Sequence, residues 1–363
     1  MTMGAVLDDG SDELVVTEID VDSPGPREVA VRTLATGLCH SDLHYLDGVL
    51  TRPRPVLLGH EAVGVVEAVG PGVESVAVGD HVVTCLVVGC GTCPRCEQGE
   101  PFVCSNPNAT RRPRGERARH LTADGRAIGT MANIGSFTDR MLVDERAVVR
   151  VPASMPPTLA AIVGCAVVTG LGAVFNVARV RPTDSVAVIG CGGVGLNVVQ
   201  GARIAGASRI VAVDVSTSKL ELAQKLGATD TIDATQVDPV EALRSLTGEG
   251  VDHAFEVIGR PDTARQAFEM AAPGRRAYIV GVFADDAQLQ LPALPLRRAK
   301  SLVGVFMGGT RPRVDIPRYI ELWERGLLDL ESMVSDVISL DQVNDGFAAL
   351  TRGEVARAVI SFD

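Results

Sequence analysis

A chain of 363 residues with a mean hydropathy of +0.21 can bury large hydrophobic cores, and its length fits two domains. The formal charge of −11 and pI near 5.1 argue against a polyanionic partner, because nucleic-acid binding draws on lysine and arginine to neutralise phosphates. Disulfide scaffolding is also disfavoured, since a chain of this size does not need cross-links to hold a core.

Residues 1–10 read as turn and strand rather than as a basic, apolar leader, so the protein is expected in the reducing cytoplasm with its thiols free for metal. Short alternating runs such as EVAVRTL and AVGVVEAVG, broken by SPGP, GPGV and VGD turns, predict a small β-rich domain over residues 1–165. Within it Cys39 stands in GLCHSDLHY and the pair His60–Glu61 in LLGHEAVG. Cys85, inside the apolar run HVVTCLVV, reads as a packing residue.

Four of the eight cysteines fall in CGTCPRCEQGEPFVC, residues 90–104, at intervals of two, two and seven residues. A bacterial ferredoxin-type cluster would want a last gap of three and a proline after the fourth cysteine; here the gap is seven and Ser105 follows. Close thiolates with glycine and proline between them can turn tightly enough to surround one tetrahedral ion. Cys90, Cys93, Cys96 and Cys104 are therefore read as a closed zinc site, which holds structure and leaves no coordination position for substrate.

The arginine-rich segment 109–129 reads as a long solvated loop. Residues 159–175, LAAIVGCAVVTGLGAVF, are nearly all apolar but short for a membrane span and carry three glycines, which predicts a buried helix at a domain junction. From Ser185 the rhythm changes: SVAVIG, RIVAVD, DTID, HAFEVIG, RAYIVGV and SLVGVF are short buried strands separated by helix-length segments. That alternation predicts an α/β fold with a doubly wound parallel sheet over residues 166–309. Residues 310–363 end in the strand-like ARAVISF and are expected to rejoin the first domain.

The turn after SVAVI carries a dinucleotide fingerprint, Gly190, Gly192 and Gly195, between a predicted strand and a predicted helix. Asp214 follows at the end of the next strand. Gly190 allows the tight turn, Gly192 lets the backbone approach a pyrophosphate and Gly195 lets helix and strand pack, with Gly193 and Val194 opening the helix toward the phosphates. Asp214 can accept hydrogen bonds from the adenosine ribose and would repel a 2′-phosphate, so NAD is preferred over NADP. Lys219, one helical turn on, can reach the same ribose. Cys191, inside the glycine turn, reads as packing.

Cys39, His60 and Cys165 remain. One imidazole and two thiolates form the three-ligand zinc set of alcohol dehydrogenase, which leaves a fourth position open; residues so far apart in sequence carry that reading only in part. The motifs together are more specific. GHEAVGVVEAVG, the four-cysteine lobe and VIGCGGVG resemble, nearly end to end, the zinc-dependent alcohol dehydrogenases of the medium-chain dehydrogenase/reductase superfamily. That resemblance implies a GroES-like catalytic domain made of the N-terminal segment and the tail, with a Rossmann domain inserted between them. It implies two Zn2+ per chain, the catalytic one on Cys39, His60 and Cys165 with Glu61 as a nearby carboxylate.

Residue by residue, the resemblance makes Asp42 the carboxylate that orients the zinc histidine, Ser41 the hydroxyl that receives the alcohol proton and His44 the outer end of that relay. His40 and Arg357 fall at pyrophosphate contacts and Thr169 at a nicotinamide contact. The activity implied is hydride transfer between a small alcohol, or its aldehyde, and NAD, in a homodimer or homotetramer with no nucleic-acid or membrane partner. The alternative is a thiol-dependent, mycothiol-type formaldehyde dehydrogenase acting on an S-hydroxymethyl adduct, which CEQGEPFVCSNPNAT and CHSDLHY also resemble. Leu50 and Arg52 stand where the glutathione-dependent branch carries acidic residues.

Overall fold

The computed structural model describes residues 2–106, 108–113, 115–353 and 357–362. Met1, Pro107, Arg114, Glu354, Val355, Ala356 and Asp363 lie outside the described residues, and with them one arginine of segment 109–129 and part of the run ARAVISF. The chain divides into two compact units. The first comprises Met1–Cys165, Arg311–Ile320 and Val334–Asp363, and the second Ala166–Thr310 and Glu321–Met333.

The first unit is built on two sheets, and its central strand explains where the chemistry gathers. Glu28–Gly37 is ten residues long and buried over most of its length, so it takes several partners. It pairs antiparallel with Glu61–Val69; its beginning also pairs with Arg140–Asp144 and its end with Ala358–Ser361. Gly37 lies opposite Glu61 in this register. The residues just past one strand, Leu38 and Cys39, are therefore brought beside the residue just before the other, His60.

The second unit is the doubly wound parallel sheet expected from the strand rhythm. Its six strands are Ser185–Ile189, Arg209–Asp214, Asp230–Asp233, Val251–Glu256, Ala271–Ile279 and Ser301–Gly304. Counted in chain order they lie third, second, first, fourth, fifth, sixth. Near-continuous apolar strands suit a sheet covered on both faces. Val186 and Val188 pack into one cluster with Val198, Val199 and Phe255, while Ala187 and Ile189 pack into another with Val211 and Phe268.

Three expectations are corrected. Residues 321–333 belong to the second unit rather than to the first. The fully buried Gln200 donates to Asp329 O (3.0 Å) and accepts from Asp329 N (2.8 Å), while Arg203 and Lys225 bind Leu327 O and Ser332 Oγ. The arginine-rich segment is not simply solvated. Arg112 and Arg119 are 14% and 10% exposed and converge on Glu28, itself 3% exposed. Residues 159–175 are no single helix but Pro157–Ala161, Ile162–Gly164, Ala166–Gly172 and Ala173–Ala178 in succession, interrupted where Cys165 leaves helical geometry. Among the described residues no single helix is long and apolar enough to cross a membrane.

Candidate metal and cofactor sites

The four-cysteine lobe can be tested against the ion it should hold. A zinc–sulfur bond of about 2.3 Å sets a tetrahedral edge of about 3.8 Å. Cys90 Sγ and Cys96 Sγ are 4.0 Å apart, and Cys93 Sγ and Cys104 Sγ 3.9 Å apart. Backbone amides point at the sulfurs as thiolates require: Cys93 N at Cys90 Sγ, and Cys90 N and Asn106 N at Cys104 Sγ, each at 3.3 Å. Backbone donors from Cys96 and Ser105 bring the Cys93 thiol down to about 6.

The second cluster joins Cys39, His60, Glu61 and Cys165. All four are buried and their ligand atoms lie within 4.8 Å of one another. His60 Nε2 is 3.3 Å from Cys165 Sγ, against about 3.5 Å for the edge between a nitrogen and a sulfur on one tetrahedral zinc. Cys39 caps the short helix His40–Leu46, its sulfur accepting from Ser41 N at 3.5 Å. On the other side of the ring Asp42 Oδ1 stands 3.5 Å from His60 Nδ1 and accepts from Gly59 N at 2.8 Å. Thr84 braces the same stretch by donating to His60 O and accepting from Ala62 N. Gly164 makes the approach of Cys165 possible, because a Cβ there would fall 1.8 Å from Thr84 O.

The electrostatics of this cluster are those of groups awaiting a positive partner. Hydrogen bonding from Cys165 holds the Cys39 thiol well below its ordinary range, and Cys165 is raised by the same contact and by burial. Burial would lower the His60 imidazole, but Asp42 outweighs it and raises it well above its usual value. Burial pushes the Glu61 carboxyl up to about 8, against the pull of Arg357. His60 Nδ1, Asp42 Oδ2 and Glu61 Oε2 have no hydrogen-bond partner among the described residues. A cation at the sulfurs and the imidazole would relieve this crowd of buried acceptors. The donor set and spacing fit zinc.

Arg357 is 3% exposed, with Nη1 on Glu61 Oε1 (3.1 Å) and Leu38 O (2.8 Å), which sets its guanidinium beside the metal cluster. Ser41 and His44 are both half-buried and three residues apart, which sets them on one face of the helix, while the fully buried Asp42 takes another. His40 is exposed at the helix start. Cys85 and Cys191 are buried outside both clusters, and burial raises both thiols, Cys85 to about 12.

The glycine turn of the second unit has the geometry of a phosphate cradle. Gly190 has φ 97° and donates to Val213 O. A Cβ on Gly195 would fall 1.8 Å from Gly190 O, whereas one on Gly192 would meet nothing within 4 Å. The backbone at Gly192 is therefore open at the start of the helix Gly193–Ile204, where orphan amides and the helix dipole favour an anion. Asp214 accepts from Cys191 N at 2.7 Å, which ties the acidic residue to the turn; Lys219 is half-buried near it. Thr169 donates to Met307 Sδ at 3.5 Å. Glu256 is fully buried at the end of the fourth strand of this sheet, where it ends the apolar run HAFE.

Comparison with known proteins agrees with this geometry. Residues 25–153 match the alcohol dehydrogenase GroES-like domain and residues 193–325 the zinc-binding dehydrogenase domain. An alcohol dehydrogenase zinc-binding domain protein from Burkholderia ambifaria is 33% identical with a TM-score of 0.94, covering 100% of this chain and 99% of that one. A benzyl alcohol dehydrogenase from Acinetobacter calcoaceticus is 31% identical with a TM-score of 0.91 and the same coverage. A zinc-binding dehydrogenase from Sinorhizobium meliloti, solved with NADP bound, is 26% identical with a TM-score of 0.81 and covers 99% of both chains. With two metal-competent clusters, a Rossmann-like parallel sheet and full-length likeness to such enzymes, the chain belongs to the zinc-dependent alcohol dehydrogenases of the medium-chain dehydrogenase/reductase superfamily, oxidoreductases of the alcohol dehydrogenase type.

Proposed function

We propose that the chain catalyses reversible hydride transfer between a primary alcohol and NAD in the cytoplasm, as a homodimer or homotetramer that holds two zinc ions per chain. The observation that carries the reading is the buried meeting of Cys39, His60 and Cys165 beside Glu61. A zinc ion on those three residues would supply Lewis-acid charge to the alcohol oxygen and favour its deprotonation near neutral pH. Asp42 Oδ1 faces His60 Nδ1 at 3.5 Å, where a small closure would give the orienting hydrogen bond that a metal-bound imidazole generally needs. Arg357 balances Glu61, so the carboxylate stays buried beside the ligands. Ser41 accepts the alcohol proton and passes it to His44 on the same helix face, and His44 hands it to solvent.

In the second unit, the open backbone at Gly192 and the amides of Gly193 and Val194 take the pyrophosphate, with Asp214 on the adenosine ribose. The carboxylate of Asp214 supports NAD over NADP because it would repel a 2′-phosphate; the Sinorhizobium protein with bound NADP makes the choice worth measuring. His40 contacts the pyrophosphate and Thr169 the nicotinamide in this reading. The Acinetobacter neighbour makes benzyl alcohol the first substrate to try. Steady-state turnover with NAD and NADP on aliphatic, benzylic and S-hydroxymethyl thiol alcohols tests the proposal. Turnover of benzylic or aliphatic alcohols with NAD supports it, turnover confined to the thiol adduct moves it to the mycothiol-type alternative, and no turnover on any of them overturns it.

A further inference from the structure

We propose that Glu256 is a positioning residue for the dinucleotide: its buried carboxylate fixes the loop that forms the second lip of the cofactor crevice. This rests on the reading of the Gly190–Gly195 turn as an NAD site. Ser185–Ile189 and Val251–Glu256 are parallel neighbours with Ile189 opposite Glu256, and the strand order of the sheet reverses between them. Open parallel sheets bind ligands outside the carboxyl ends of their strands at such a reversal. One lip of that crevice is the glycine turn. The other is the loop that follows Glu256.

This second lip has no regular structure until the helix Pro261–Met270 begins, and a single carboxylate oxygen gathers it. Glu256 Oε1 accepts from Ile258 N (2.9 Å), Gly259 N (2.6 Å) and Thr263 Oγ1 (2.8 Å). The side chain is fully buried, Oε2 has no hydrogen-bond partner, and no cation pairs with it among the described residues. A buried carboxylate without a counter-charge is costly, so its retention at the end of an apolar strand calls for a compensating role. Three hydrogen bonds to a charged acceptor, all from one loop, are that role.

The loop so held cannot shift without disturbing its neighbours. A Cβ on Gly190 would lie 2.6 Å from Ile258 Cγ1, and one on Gly281 only 2.1 Å from Gly259 N. The glycine turn therefore meets the Ile258 side chain and the loop after the fifth strand meets the backbone at Gly259, while Ile258 remains 43% exposed. Releasing the carboxylate frees Ile258 to move against the glycine turn, and the width of the crevice is then no longer set.

The test is titration of ADP-ribose, the non-reacting part of the cofactor, into wild type, Glu256→Gln and Thr263→Val. Loss of the charge should raise Kd for ADP-ribose about tenfold in Glu256→Gln, with a smaller rise in Thr263→Val, which removes one of the three bonds. In turnover, KM for NAD should rise while KM for the alcohol does not, a split that general loosening of the fold would not produce. If Glu256→Gln fails to fold, Thr263→Val decides. Unchanged affinity in the folded variants, or KM for both substrates rising together, overturns the role of Glu256 alone. Absence of ADP-ribose binding by wild type overturns the NAD-site reading and this proposal with it.

Discussion

Replacing Glu28 by glutamine tests how the arginine-rich segment is fastened. Glu28 Oε1 accepts from Arg119 Nε (2.7 Å) and Arg112 Nε (2.9 Å), and Oε2 accepts from Gly25 N (2.9 Å). Burial alone would raise the carboxyl, but the two guanidinium groups bring it from 4.5 to about 2. A depression of that size corresponds to about 3 kcal/mol of folding stability at pH 7. Because the folded value is the lower one, this stability is fully present above pH 4.5 and is lost as the pH falls toward 2. At pH 3 about 1.5 kcal/mol should remain. Urea unfolding of wild type and Glu28→Gln, followed by far-ultraviolet circular dichroism between pH 3 and 7, measures the difference directly. A gap that stays constant across this range, or that is under about 0.5 kcal/mol at pH 7, the size of an ordinary surface substitution, would refute the account of Glu28 as an ionised anchor.

Elemental analysis of metal-replete protein should give two zinc ions per chain. Cys93→Ser should lose one of them and lower thermal stability, whereas Cys39→Ser should abolish turnover with circular dichroism unchanged. Asp214→Gly should move the ratio of kcat/KM for NAD and NADP toward NADP by about 1–3 kcal/mol, the worth of a charged hydrogen bond; equal use of both cofactors by wild type contradicts the role of Asp214. Ser41→Ala should be severe at every pH, while His44→Gln should be milder and rescued by added imidazole. Proton-transfer assistance is worth about 10²–10⁴ in rate, so the two should separate clearly. Equal damage in the two variants, insensitive to imidazole, would make His44 structural.

The lobe and the glycine turn were legible in the sequence because their geometry is local. Fifteen residues with glycine and proline between four cysteines suffice to bring the sulfurs within 4.8 Å of one another, and a strand, three glycines and a helix suffice to shape a phosphate cradle. The strand rhythm likewise announced the parallel sheet, since strands covered on both faces must be apolar throughout. The second metal cluster was legible only through family resemblance. His60 and Cys165 are 105 residues apart, and nothing in that number places them 3.3 Å apart. The register that sets Gly37 opposite Glu61 does so, together with a glycine at 164 small enough to lie against Thr84 O and so bring Cys165 in. Charged residues were the hardest to place. Arg112 and Arg119 read as solvated arginines along the chain, because the favourable default for a cation is water. Only the folded protein shows Glu28 buried where those charges are needed, and Glu256 buried where three donors of one loop converge. Whether an ionisable side chain is solvated, an anchor or part of a site depends on what faces it through space, and that is decided by tertiary packing.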